Sequence, residues 1–321
     1  RVARRRSRST GPHRRIVAGR RAAQFGDGRC ARRRSAASGR QLTWLSTRLL
    51  SVPLAIPSMS RGIPRTVCSM RWASGATTAE LAFTTENTAG VDQAVLPTFP
   101  VVLGWGQGSP MRAVGEYDPA LLVHGQQAIT VHRPLPVEGS ATLTTRITDM
   151  FDKEKAAVVV TQTDLVAPDG PLASLRSSVF IRGAGGWGGV RGPSGAQNVP
   201  PERDPDHVVS YTTSPDQALV YRLSGDRNPL HSDPAFAARG GFDAPILHGL
   251  CSYGFTGRAL LHAVCGSDPS RFAHIEARFA SPVIPGDTLD VRIWEVDGAT
   301  ALFTTSVGDR LVIDQGLLRH S

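Results

Sequence analysis

The chain has 321 residues, 40% hydrophobic and 20% charged, with a formal net charge of +9. It is long enough for one large domain or two of ordinary size, and no run approaches the ~18 continuous apolar residues of a membrane span. The basic balance is local: residues 1–79 hold 18 Arg, no Lys and one acid, Asp27, a charge of +17 that leaves −8 for the rest, which excludes a nucleic-acid role for the body argued from its high pI.

In chain order, residues 1–75 come first. Their Arg- and Ser-rich runs show neither helical nor strand period and cannot bury enough apolar surface to offset ordering entropy. Disorder is expected there, with a short helix at 42–50. A transit peptide and a basic arm are alternatives; the tract reads best as out-of-frame translation from a high-GC genome. Ordinary protein sequence begins near Thr77. Strands are predicted at Ala141–Ile147, Ala156–Leu165 and Ala173–Arg182, with an Asp169-Gly170 turn. A Gly- and Pro-rich stretch from Gly183 follows. It contains a formal GxGxxG, but no helix pattern opens behind it, so a linker is preferred to a dinucleotide loop.

The second half repeats the plan. Asp233-Pro234 starts a short helix, and a longer helix is expected over His248–Val264. Strands follow at Thr288–Val296, Thr300–Val307 and Arg310–Leu318. Two echoes suggest duplication: Leu122–Gly125 with Ile246–Gly249, and Arg133–Gly139 with Ser281–Gly286. The expected divisions are 1–75, 76–185, a linker at 186–210, and 211–321. The four cysteines form no CxxC pair, which points to a reducing, cytoplasmic setting, bacterial by the high-GC reading.

The segment Tyr221–His231 carries the chemistry. Gly225 and Pro229 exclude regular helix, and no apolar alternation supports a strand. It is a stiff polar loop with Asp226, Asn228 and His231 within six residues. A carboxylate beside an imidazole can take a proton from water and return it; the plainer reading is a self-capped turn. Gly249 stands at a predicted helix start, where free N–H groups receive an oxyanion. Tight packing explains Gly254 well and Gly249 less well. His231 and His248 have no partners at metal-ligand spacing, so no metal is expected. Cys251 reads as a buried apolar residue. His124 and His132 read as structural.

Taken with Pro245–Tyr253 and Ser281–Gly286, the run Ser224-Gly-Asp-Arg-Asn-Pro-Leu-His231 closely resembles the MaoC-like, (R)-specific 2-enoyl-CoA hydratase family (hydratase type 2) in its two-hotdog form. The resemblance spans Ala79 to the C-terminus. It implies an α+β double hotdog, two copies of a long helix wrapped by an antiparallel sheet. Residues 76–185 would be the non-catalytic hotdog that widens the acyl tunnel, and 211–321 the catalytic one. The implied activity is reversible hydration of trans-2-enoyl-CoA to (3R)-3-hydroxyacyl-CoA, a carbon–oxygen lyase of fatty-acid or sterol side-chain metabolism. Asp226 and His231 would activate the water, Asn228 would support it, and the Gly249 N–H would hold the thioester oxygen. Substrate contacts are implied at Arg278, Phe279 and Tyr253. Arg278 would meet CoA phosphates, a solvated surface Arg being the equal alternative. No cofactor is implied, since CoA is part of the substrate. The implied partner is an acyl-CoA, not nucleic acid, with a homodimer as the assembly to test. The alternative is an impaired acyl-thioester-binding hotdog, because residues before Ala79 depart from the family's ordered segment.

Overall fold

The structure is a computed structural model that describes residues 52–55, 73–103 and 110–321. The helix expected at 42–50 and the rest of the basic tract lie outside the described residues. Ten strands form one antiparallel sheet in the order β1-β3-β4-β5-β2-β7-β10-β9-β8-β6. They are β1 (Val52–Ala55), β2 (Leu122–Val131), β3 (Thr142–Asp152), β4 (Ala156–Ala167), β5 (Gly170–Arg182), β6 (His207–Thr212), β7 (Phe272–Phe279), β8 (Thr288–Asp297), β9 (Thr300–Val307) and β10 (Arg310–His320). The order is mirrored about its centre: β1, β3, β4, β5 and β2 correspond to β6, β8, β9, β10 and β7. The halves join where β2 pairs with β7, Gln126 opposite Arg278 and Thr130 opposite His274.

The expected hairpins hold. β4 and β5 turn at Asp169, and β8 and β9 at Gly298. β1, β2, β6 and β7 were missed by the strand prediction; β6 alternates between half-buried and exposed positions, β2 and β7 less regularly, and no tight two-residue turn announces them. One echo is structural and the other is not. Arg133–Gly139 and Ser281–Gly286 are equivalent loops, before β3 and β8. Leu122–Gly125 opens a strand, whereas Gly249 opens a helix.

Four short or long helices are described: α1 (Leu81–Thr84), α2 (Gln217–Tyr221), α3 (Pro234–Arg239) and α4 (Gly249–Ala263). Asp233 caps α3 by accepting from the amides of Ala235 and Phe236 at 2.9 and 3.3 Å. α4 falls within a residue of prediction at each end. Every residue from Leu250 to Leu261 is buried, as a helix surrounded by protein requires. One side packs on the inner face of the second half-sheet, where Leu289, Val291, Ile293, Ala301 and Phe303 are fully buried.

The other side of α4 is covered by the chain from Ala73 to Leu103. A Cβ on Gly254 would stand 2.7 Å from the Ser74 hydroxyl, and one on Gly257 would strike Thr98. The packing reading of Gly254 is therefore correct. Ser74 O accepts from the buried Arg258 at 2.6 Å, and Ala73 O from Gln217 at 2.9 Å. Arg258 also approaches Glu80 at 3.1 Å and lies over the Tyr211 ring at 3.8 Å. The expectation of disorder through residue 75 is corrected here. Ala73 and Ser74 are wholly buried because α4 presents small residues and a buried guanidinium to be covered. It is corrected at Val52–Ala55 too, an apolar stretch that pairs with β3 at the sheet edge, where Pro53 is tolerated.

Between β1 and β2, the stretch corresponding to α2–α4 holds only α1 and short 3₁₀ turns among the described residues. The long first-half helix is not seen there. The glycine-rich stretch has a defined role: the Asp152 carboxylate accepts from the amides of Gly186 and Gly188 at 2.8 Å and Gly189 at 3.4 Å. These bonds hold its pKa down. The glycine amides cradle the protein's own carboxylate, and no helix follows them.

Candidate active site

The loop after α2 is built by local hydrogen bonds. Gly225 has a left-handed φ of 117°, which lets the chain reverse out of the Arg222–Ser224 turn. The Asp226 side chain accepts from the Asn228 amide at 3.1 Å, and the Asn228 side chain accepts from the Leu230 amide at 3.1 Å. The self-capped turn is thus real. It uses one Asp226 oxygen and the Asn228 carbonyl, leaving the other carboxylate oxygen and the Asn228 NH₂ group free.

His231 Nδ1 lies 2.8 Å from Ile246 O. A carbonyl only accepts, so Nδ1 carries the proton and Nε2 holds the lone pair. The ring stacks on His248, centroids 3.7 Å apart and planes 28° apart. His248 is the residue before α4, and its Nε2 faces Asp226 O at 3.3 Å. Nε2 is therefore the protonated nitrogen, and the buried Nδ1 has no partner. At the head of α4 the amides of Gly249 and Leu250 meet no protein acceptor among the described residues. A Cβ on Gly249 would lie 3.3 Å from the Phe279 ring, so glycine brings the helix end close to that wall.

These groups share one cavity of about 680 Å³. Asp226, Asn228, His231, His248, Gly249 and Phe279 line it from the second half. The first half contributes β2–β5, including Gln127, Thr145, Thr161, Thr163, Leu175 and Ser177. Burial pushes the Asp226 pKa up, against the pull of the Asn228 amide and His231. Burial pushes His231 down, against its Ile246 bond and Asp226. Both shifts disfavour charge in a dry pocket. His248 is held to about 2 by burial and by His231, and is neutral.

An oxygen of Asp226 and a nitrogen from each of His231 and His248 lie within 4.8 Å of one another. Spacing gave no hint of this, because the fold brings His248 back to His231 across seventeen positions of chain. The donor set does not suit a metal. Each histidine commits one N–H to a carbonyl, and stacked rings direct their remaining lone pairs in near-parallel planes rather than at one point. Acid–base chemistry suits it: a carboxylate and a neutral imidazole nitrogen at a cavity head, beside unpaired helix-terminal amides.

Two implied substrate contacts do not line this cavity. Arg278 points to the opposite face of β7 from Phe279, by strand alternation, and pairs with Asp314 at 2.8 Å. Tyr253 is fully buried and donates to Ile275 O at 3.0 Å, away from the cavity. Phe279 does line the cavity, 4.9 Å from the His124 ring. His124, set aside as structural, is a cavity residue kept neutral by burial, its pKa near 4. Ser252 also lines the cavity, its buried hydroxyl without a partner. Arg182, exposed on the wall, donates to Gly240 O at 2.7 Å.

The MaoC-like domain matches residues 196–315, and the MFE-2 hydratase 2 N-terminal domain matches 66–183. The 3-hydroxyacyl-thioester dehydratase Y of Mycobacterium tuberculosis is 44% identical over 257 residues, 77% of this chain and 88% of its own. The peroxisomal enoyl-CoA hydratase 2 of Arabidopsis thaliana is 41% identical, over 67% of this chain and 74% of its own. The crystal structure of a MaoC-like dehydratase from Phytophthora capsici superposes with a TM-score of 0.76 at 33% identity, covering 87% of this chain and 96% of that one. A M. tuberculosis protein described as a double hotdog matches at TM-score 0.55 and 13% identity, which speaks for the fold alone. The mirrored sheet, the loop before α4 and these similarities agree: the chain is a double-hotdog enzyme of the MaoC-like dehydratase family.

Proposed function

We propose that this enzyme reversibly hydrates trans-2-enoyl-CoA to (3R)-3-hydroxyacyl-CoA. The observation that carries the proposal is the meeting of Asp226, the bare Nε2 of His231 and the unpaired amide of Gly249 at the head of one cavity. A water held by Asp226 and His231 loses a proton to that pair, and its oxygen bonds C3. The C2–C3 π electrons move to the thioester oxygen, where the Gly249 N–H and the α4 dipole receive the charge. The pair returns its proton to C2, which balances the addition. Asn228 turns its free NH₂ group toward the water. Exposed Arg182, rather than Arg278, is the cation on the cavity wall that suits CoA phosphates. No cofactor enters the reaction. The free, buried Cys251 and Cys265 suit a reducing cytoplasm.

The (3R) outcome rests on the likeness to hydratase 2 enzymes. Crotonyl-CoA loses its conjugated thioester absorbance on hydration, and chiral analysis of the product should give the 3R alcohol. Tight binding of acyl-CoA by folded protein without turnover would instead favour the impaired thioester-binding reading.

A further inference from the structure

The inner face of the first half-sheet differs from that of the second. Across β10, β9 and β8 the inner face is almost wholly apolar and is filled by α4. The corresponding face of β2, β5, β4 and β3 carries two rows set by strand register. Gln127 opposes Ser177, and Ser177 opposes Thr161; in the next row Leu175 opposes Thr163, and Thr163 opposes Thr145. Five polar side chains therefore form an island on the cavity wall. Leu143, Leu175 and Val179 line the same cavity around them.

The island is only partly self-satisfied. Ser177 donates to the Gln127 carbonyl oxygen. Thr145 and Thr163 share one hydrogen bond of 2.9 Å, which leaves one hydroxyl proton unspent. Thr161 has no protein partner among the described residues. Gln127 uses one N–H on Ala128 O and keeps the other. Unspent donors in an apolar wall favour an oxygen brought in by the ligand. At about 4.8 Å per strand, Ser177, Thr161 and Thr145 stand roughly 10, 14 and 19 Å along the sheet from β7, whose Phe279 abuts Gly249.

We propose that the polar island is a specificity subsite for an oxygen function, hydroxyl or carbonyl, on the distal part of the acyl chain. Thr161 and Thr163 are its principal donors. This rests on the acyl-thioester reading above. It names a substrate class within it: enoyl thioesters whose hydrophobic body carries a remote oxygen.

The test uses the full chain with two long trans-2-enoyl-CoA esters of equal length, one with a plain tail and one hydroxylated in its distal half. Crotonyl-CoA is run beside them, since its chain is too short to reach β4. We expect kcat/KM for the hydroxylated ester to exceed that for the plain one by roughly threefold to tenfold, the effect of one net hydrogen bond, carried by KM. Thr161→Val and Thr163→Val should each shrink that ratio, while Thr161→Ser, which keeps the hydroxyl, should restore it. Equal kcat/KM for the two long esters on the unaltered protein, with crotonyl-CoA still hydrated, overturns the subsite and leaves the reaction standing. No hydration of any ester overturns the reaction and the subsite with it.

Discussion

At the scale of residues, the site is a compromise between burial and charge. Asp226 sits 8% exposed in the wall of the cavity, where desolvation raises its pKa. A carboxyl raised on folding is stabilising when protonated; that contribution is present at low pH and is lost as pH rises through the raised value. At neutral pH the ionised carboxylate therefore strains the fold, and Asp226→Asn should raise the melting temperature, as differential scanning calorimetry would show. For activity the sign is opposite: in the proposed reaction the Asp226 carboxylate takes the proton, so the acid limb of kcat/KM should fall above the ordinary Asp range. A limb at or below pH 3.8, the ordinary value for Asp, would remove Asp226 from the proton path. Burial pushes the His231 pKa down, which favours the neutral ring with a bare Nε2.

At the scale of elements, α4 organises the second half, and much of it could be read in the sequence. The expected span His248–Val264 matches the observed Gly249–Ala263 to within a residue at each end. The hairpins with Asp-Gly turns were legible for the same reason: turn chemistry and alternation are local. What was not legible is what covers α4. The chain at Ala73–Gly75 has no periodicity, yet Gly75 holds a left-handed φ of 74° and a Cβ there would overlap the Phe255 ring. Gly75→Ala should destabilise the protein by about 1–3 kcal/mol, measured by urea unfolding. An unchanged midpoint would mean that this segment is not packed on α4. The partnership of His231 with His248 was also beyond sequence reading, since it depends on a loop and a helix start meeting across the cavity. The placement of Arg278 was not legible because β7 was not recognised as a strand; its alternation sends Arg278 and Phe279 to opposite faces.

At the scale of the molecule, a duplicated half-sheet has been put to two uses. In the second half the sheet closes on α4 and forms a core. In the first, the described residues show no such helix, and the same face lines the cavity instead. The β2–β7 pairing makes the two faces continuous, so the loop that carries Asp226 and His231 and the wall of β2–β5 line one cavity. No described helix is long and apolar enough to cross a membrane. The central claim is that Asp226 and His231 work together on one water at the head of this cavity. Its most direct test is kcat/KM for crotonyl-CoA hydration by Asp226→Asn and His231→Ala, each first shown by circular dichroism to be folded. The account predicts that each substitution lowers the rate by about 10²–10⁴-fold, with the double variant little worse than the singles because the two groups act as a unit. Folded single variants that hydrate crotonyl-CoA at the unaltered protein's rate would contradict it.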